Sequence, residues 1–498
     1  MANKRAIGHV MPPSFDSDGA APTTVAFRTI GCKLNQCETA QMQEALAAAG
    51  YRLVDWGDRA DIRVVNTCTV TAKSDRTCRH EIRLAKRLDP DCLVAATGCY
   101  AQVDPDAVAA IPGVDLVLGN IEKLRLGEYL AGREAARRGR SRQEVQAAAS
   151  GPASASSPAS ASGPAPVLAS PARDAPLTSV SSYPSHPVFE GEFISHFYGY
   201  TRAFLKIQTG CDSRCSYCVI PLARGPARSM PLAEVLEQVR LLGSRGFQEV
   251  VLTGIDLGSW GRDNGGGALA DLLSHLLRET RPPRYRLSSI EPLGISPTLL
   301  DALESMGERL AHHFHLPLQS GDDRVLRRMR RPYTSADYLD IVTGLARRFP
   351  VAALGADVIV GFPGETDEEF EETHAFLEHS PLTYFHVFSY SDRPGTAATA
   401  MRPKVRPETI HARSLRLREL GERKNAAFRE RLAGTRERAL ILRERGEDGR
   451  LVGLTGNYME VLIAGDDSLV NRFARVRLER ALSDGRWEAT LLDLEEAA

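Results

Sequence analysis

Short apolar runs alternate with stretches of helical period along most of this chain. VAFRTI (25–30), IRVVN (62–66), LVAAT (93–97) and VDLVLG (114–119) have strand length. Between them lie CETAQMQEALAAAG (37–50), stopped by Gly50, AKSDRTCRHEIRLAKRL (72–88) and DPDAVAAI (104–111), which read as helices. Such alternation over 24–130 predicts a parallel, doubly wound α/β domain of flavodoxin-like αβα type.

The alternation resumes over 196–400. FLKIQTG, EVVLTG, YRLSS, HFHLPL, AALGADVIVG and YFHVFSY are strand candidates. LAEVLEQVRLLGSRG, LADLLSHLLRET, SPTLLDALESM, SADYLDIVTGLARR and TDEEFEETHAFLEH are the helical stretches between them. About six β/α units fit a complete or partial TIM-like barrel, whose functional residues sit at the C-terminal ends of strands. Residues 402–438 read as one long helix with twelve Lys/Arg against five Glu. From 439 the period changes to two, in ALILRER, RLVGLTGNYMEVLIAG, NRFARVRLERAL and WEATLLDL. That predicts a small OB-like antiparallel β-barrel.

Composition separates these blocks. Residues 131–195 open on the basic run REAARRGRSRQEV and continue as Ala, Ser, Pro and Gly, which cannot bury a core and read as a linker. Residues 1–23 read as a disordered tail without a signal-peptide core. The expected domains are therefore 24–130, 196–432 and 433–498. The net charge of −1 argues for no polyanionic partner overall, so any such partner needs a local patch. No apolar run is long enough to cross a membrane. A cytoplasmic location is expected, where nine cysteines point to metal or catalysis rather than disulfides.

The cysteines of TGCDSRCSYCVIPLARGPARS (209–229) carry the chemistry. Cys211, Cys215 and Cys218 are spaced C-x3-C-x2-C directly after the strand FLKIQT. A zinc site would need a fourth ligand from elsewhere. A 4Fe-4S cluster held by three thiolates keeps one iron open for a small molecule. Tyr217 before the third cysteine, and the β/α pattern that the motif opens, favour the cluster.

Six more cysteines lie in the first block. Three of them, Cys32, Cys68 and Cys99, directly follow strand candidates. Parallel strands gather their C-terminal ends at one sheet edge, so these three are expected together. Cys92 precedes its strand, Cys78 falls within a helix and Cys37 at the start of one; Cys78 and Cys92 read as buried free thiols. The chosen three suggest a second cluster with an open iron, with buried free cysteines as the alternative.

CDSRCSYC resembles the signature of radical S-adenosylmethionine enzymes. IGCKLNQCE, NTCTVTAKSD and TGCYAQ resemble the N-terminal domain of the methylthiotransferases within them, and LTGNYMEVLIAG their TRAM domain. The resemblance covers about 24–130 and 196–498. It implies two 4Fe-4S clusters, on Cys32, Cys68 and Cys99 and on Cys211, Cys215 and Cys218, with S-adenosylmethionine on the open iron of the latter. One S-adenosylmethionine methylates a sulfur at the first cluster; a second is cleaved to a radical that removes a hydrogen from the substrate carbon, which receives the methylthio group.

LTGIDLGSWG (252–261) stands where many radical S-adenosylmethionine enzymes carry Gly-Gly-Glu, so Thr253, Gly254 and Asp256 become candidate cofactor contacts. VIVGFPGET (358–366), with Gly361, resembles the segment that supports adenine. Tyr217, Ser289, Glu291 and Gln319 complete the candidate set. His313 and His315 share one face of a strand rather than a metal site. GCKLNQCE, CVIPLARGPARS, LSSIEP and GLTGNY look most like the type acting on threonylcarbamoyladenosine in tRNA. Isopentenyladenosine in tRNA and an aspartate of a ribosomal protein are the alternatives, and Lys33 and Leu34 separate the types. A tRNA anticodon stem-loop, a reducing system such as flavodoxin or ferredoxin, no membrane and a monomer follow from the resemblance. RVLRRMRRPYT (324–334), with five arginines, and the basic 402–438 stretch are candidate phosphate contacts.

Overall fold

A computed structural model describes residues 22–133, 175–184, 187–189, 191 and 193–495. The expected tail up to residue 21 and most of the 131–195 segment lie outside them.

The first domain is a parallel sheet of β1 (Thr24–Thr29), β2 (Arg52–Val54), β3 (Ile62–Thr67), β4 (Leu93–Gly98), β5 (Leu116–Leu118) and β6 (Leu177–Ser179). Their order is β2-β1-β3-β4-β5-β6, with every pairing parallel. Two strands were not expected. β2 is three residues of Arg-Leu-Val. β6 corrects the linker expectation, because Leu177–Ser179 pairs with Leu116–Leu118 as part of this sheet. β3 and β4 are buried throughout, as a parallel sheet covered on both faces requires. Helix Lys33–Ala48 covers one face and helix Ala72–Leu88 the other.

The second domain holds six parallel strands, β7 (Ala203–Lys206), β10 (Glu249–Thr253), β11 (Arg284–Leu287), β12 (His313–His315), β13 (Ala353–Val360) and β14 (Tyr384–Ser389). The two-residue strands β8 (Gln208–Thr209) and β9 (Arg228–Ser229) pair antiparallel beside the cysteine loop. The six fall into two ladders, β11-β10-β7 and β12-β13-β14. They are joined by a bridge from Tyr285 to Leu310 and a bond from the Ala311 N–H to the Tyr285 carbonyl. The result is a partial barrel, with helices packed outside in one continuous apolar core.

The long helix runs over Pro407–Leu432, shorter than expected. Residues 436–438 already belong to β15 (Arg436–Arg445), which closes a barrel with β16 (Leu451–Thr455), β17 (Glu460–Ile463), β19 (Trp487–Leu494) and β18 (Phe473–Ala481). Four of the five pairings are antiparallel; the closing one, β17 with β19, is parallel. Closure leaves this sheet no open edge.

The domains are tied by specific charges. Arg393, after β14, donates to the Thr69 carbonyl at 3.2 Å and to Asp75 at 2.6 Å. Arg284 and Arg286 of β11 share Glu249 and donate to the carbonyls of Leu454, Thr455 and Gly456. The third domain is docked at the N-terminal ends of the second domain's strands, where it bonds to Thr201, Gly246, Pro283 and Val351.

Candidate active site

Cys32 is the N-cap of helix Lys33–Ala48, Cys68 follows β3, and Cys99 opens the short helix Cys99–Val103 after β4. All three stand at the C-terminal edge of the sheet, close enough that negative charge on Cys99 would raise the thiols of both Cys32 and Cys68. A Cβ on Gly31 would lie 2.7 Å from Cys68 Cβ, so glycine is what lets the Cys32 turn approach the Cys68 loop. Asn35 donates to the carbonyls of Ile30 (2.7 Å) and Thr67 (3.0 Å), stapling the two turns. Cys32 is exposed although protein surrounds it on most sides, as at the wall of an open cavity. Burial pushes the free Cys68 thiol up to about 12, so binding metal there must release a proton.

The other cysteines have packing roles. Cys78 both accepts from the Cys68 N–H and donates to its carbonyl at 3.3 Å, fixing that loop. Cys92 lies at the opposite sheet edge, against Ala85. Cys37 is buried in the core that helix Lys33–Ala48 shares with the second domain.

Beside this triad lies a buried charge network that sequence reasoning missed. Glu38 receives Arg224 (2.9 Å), Lys123 (2.6 Å) and Lys206 (3.5 Å). Burial alone would raise its carboxyl; the three cations outweigh that and hold it well below the usual range. Three cations around one carboxylate leave positive charge facing Cys32 and Cys99, which suits a group held by thiolates. Arg224 ends the short helix Ile220–Arg224 after Cys218 and also donates to Asn35 at 2.7 Å. Asn120 donates to the Ala223 carbonyl at 2.7 Å. The segment after one cysteine triad thereby grips the helix that starts at the other.

The second triad sits on the loop after β8. Gly210 adopts φ +72°, and a Cβ there would lie 1.8 Å from the Pro226 carbonyl oxygen. The Cys211 N–H bonds to the Gly225 carbonyl and the Cys218 N–H to that of Cys215. Ser216 is pinned to Met329 and Arg328 backbone. Burial pushes the Cys218 thiol up to about 12. Arg331 donates to Cys215 Sγ at 3.3 Å and pairs with Glu291. It was expected to meet phosphate. Two more of its run, Arg324 and Arg328, pair with Asp322, Glu369 and Glu372, which corrects that patch. The helix ends at Arg328 and Arg330 takes φ +58°, so the chain has turned off the helix before Arg331.

The remaining candidates distribute around the strand ends. Tyr217 packs on the apolar cluster of Val325, Met329 and Phe362. Thr253 ends β10, and Gly254 donates to Ser288 at 3.3 Å. Burial raises the Asp256 carboxyl, which faces Cys211 and Arg262. Burial likewise raises Glu291 against the pull of Arg331. Ser289 meets His315 at 3.1 Å, and His315 meets Asp357 at 3.2 Å. Gln319 has φ +73° and bridges Asp357 and Ile359 through its backbone. Gly361 has φ +77° and faces Ile410, where a Cβ would be 2.3 Å away; its neighbour in space is the long helix.

Comparison with known proteins supports the same division. Residues 205–377 match the Radical SAM superfamily and residues 24–119 the family described as Uncharacterized protein family UPF0004. A threonylcarbamoyladenosine tRNA methylthiotransferase of Aquifex aeolicus is 39% identical, over 88% of this chain and 96% of that protein. The Bacillus subtilis protein of the same description is 36% identical, over 92% and 94%. A tRNA-2-methylthio-N(6)-dimethylallyladenosine synthase of Methylobacillus flagellatus is 30% identical, over 93% and 98%. In fold, the chain is similar to the radical S-adenosylmethionine methyltransferase TsrM of Kitasatospora setae, with a TM-score of 0.50 at 16% identity over 76% of this chain and 77% of that one. With two cysteine triads on facing domains and near-full-length relatives at this identity, the chain belongs to the radical S-adenosylmethionine methylthiotransferases.

Proposed function

We propose that this enzyme inserts a methylthio group at C2 of N6-threonylcarbamoyladenosine beside the anticodon of tRNA. The likeness to the Aquifex and Bacillus proteins, both described as acting on that nucleoside, over more than nine-tenths of their length carries this reading. Cys211, Cys215 and Cys218 hold the 4Fe-4S cluster that binds S-adenosylmethionine, and Cys32, Cys68 and Cys99 hold the auxiliary one. When bound, these groups supply the radical that removes the substrate hydrogen and the sulfur that replaces it. The residues of the chain orient and protect that chemistry. Arg331 neutralises Cys215 and aligns Glu291. Asp256, Glu291 and Ser289 stand at the strand ends beside Thr253, Gly254 and Gln319, and would contact the ribose and methionine of the cofactor. Arg224, Lys123 and Glu38 fix the distance between the two triads. Bringing both over one carbon is the physical requirement of the transfer. The electrons come from a reductant of flavodoxin or ferredoxin type in the cytoplasm, and the enzyme works as a monomer.

The test is mass spectrometry of nucleosides from total tRNA in a host without its own methylthiotransferases. Expression of the intact chain yields 2-methylthio-threonylcarbamoyladenosine, and the Cys215→Ala variant yields none. An isopentenyl product, or unmodified tRNA from a protein carrying both clusters, rejects the substrate.

A further inference from the structure

The three domains meet around Tyr458, at the tip of the turn between β16 and β17. Lys33 Nζ lies 5.8 Å from the centre of its ring, Arg202 Cζ 5.7 Å and Arg286 Cζ 4.6 Å. Tyr458 has φ +68°, a costly backbone for a bulky residue, and this conformation turns the ring into the cleft. His313 packs at 4.7 Å on the ring and is tied to the Tyr384 hydroxyl.

Positive charge here is in excess. Arg202, Arg284 and Arg286 share one carboxylate, Glu249. Arg284 and Arg286 direct their other N–H groups at barrel carbonyls. Lys33, among the described residues, makes no hydrogen bond and no ion pair; it has only the ring of Tyr458. Burial would raise the Tyr458 phenol, yet Lys33, Arg202 and Arg286 hold it below its ordinary value, which reports the local field. Lys33, Arg202 and Arg286 around the ring face the single carboxylate of Glu249, which Arg284 also shares, and this leftover positive charge in a half-buried cleft is costly until an anion arrives.

The location says which anion. Lys33 follows Cys32 in the chain and carries its ammonium to the Tyr458 ring, so the anion would lie about a lysine side chain's length from the auxiliary triad. C2 and N6 of adenine flank N1, so a substituent on N6 passes close to whatever stands beside C2. We propose that Lys33, with Arg202 and Arg286 around Tyr458, receives the carboxylate of the threonylcarbamoyl group and so selects this nucleoside over ones with neutral N6 substituents. A backbone phosphate offers similar charge, but it stays with the ribose when a base is drawn into a pocket.

This inference rests on the proposed substrate, and the experiment separates the two. The holoenzyme is titrated with three anticodon stem-loops, bearing threonylcarbamoyladenosine, the same group with its carboxylate converted to a carboxamide, or plain adenosine. All three carry the same phosphates. Affinity for the carboxylate form is expected to exceed that for the carboxamide by about tenfold or more, the worth of a charge-assisted contact. Lys33→Gln removes that preference and leaves the carboxamide affinity unchanged. Arg202→Gln, which changes no neighbour of a cysteine in the chain, reduces the preference even if Lys33→Gln loads its cluster poorly. Equal affinity of the unaltered enzyme for both forms overturns the inference, as does an equal loss on all three stem-loops in the variants, which marks a phosphate contact. Failure to methylthiolate the threonylcarbamoyl stem-loop at all rejects the substrate reading instead.

Discussion

Glu38 is the single carboxylate on which Arg224, Lys123 and Lys206 converge, and it is buried. Glu38→Gln leaves three cations without their counter-charge, and breaking such a buried set costs about 3–5 kcal/mol. Its folded carboxyl titrates below the ordinary value, so its contribution is complete above the unfolded value of about 4.3 and is lost as pH falls through the folded one. Urea midpoints of the two proteins should therefore differ fully near neutrality and converge in acid; a gap independent of pH would refute the assignment. Arg331 makes a different prediction. Hydrogen bonds to cluster sulfurs raise reduction potentials, so Arg331→Met should lower that of the Cys211, Cys215 and Cys218 cluster by on the order of tens of millivolts. A redox titration followed by electron paramagnetic resonance reads it, and an unchanged potential removes Arg331 from this role. At this scale the cysteines were legible, because strand ends in a parallel sheet share an edge. Arg331 was not, because an arginine run reads only as charge until a turn gives it direction; Lys33 was legible as a mark of substrate type but not as a contact of Tyr458.

Among elements, the loop after β8 depends most on one residue. Gly210→Ala meets a backbone oxygen at 1.8 Å and forces an alanine to φ +72°, which alone costs about 1–2 kcal/mol. The loop must move, and the three thiols with it. Iron per chain should fall to about half, since each site takes four irons and only the auxiliary one is untouched; full iron content would show that the loop tolerates the shift. The six strands of the partial barrel could be read in the sequence because each is an apolar run at a helix boundary. β2 and β6 escaped because they are the partly exposed edge strands, with no apolar run to mark them, and their pairing with β1 and β5 is decided by tertiary contact. The end of the long helix was overrun because its basic pattern continues into Arg436 and Arg438, which the barrel takes as strand.

For the whole molecule, the third domain has a structural role. Phe428 and Leu432 of the long helix lie in its core, and its carbonyls receive Arg284 and Arg286. Ending the chain at residue 432 exposes those two apolar side chains, at about 1.5–3 kcal/mol each, and takes the barrel carbonyls away from Arg284 and Arg286. The truncated protein should melt at lower temperature even without tRNA; an unchanged melting temperature would make the domain a mere appendage. The same view gives β6 a further meaning. Past the Asn120 and Lys123 contacts the chain leaves the first domain after residue 133 and rejoins it at β6 beside β5, so both ends of the intervening segment stand on one scaffold. Closing such a loop costs only about 0.6 kcal/mol for each doubling of its length. Length can drift there, or a foreign domain be spliced in, while both cysteine triads keep their places.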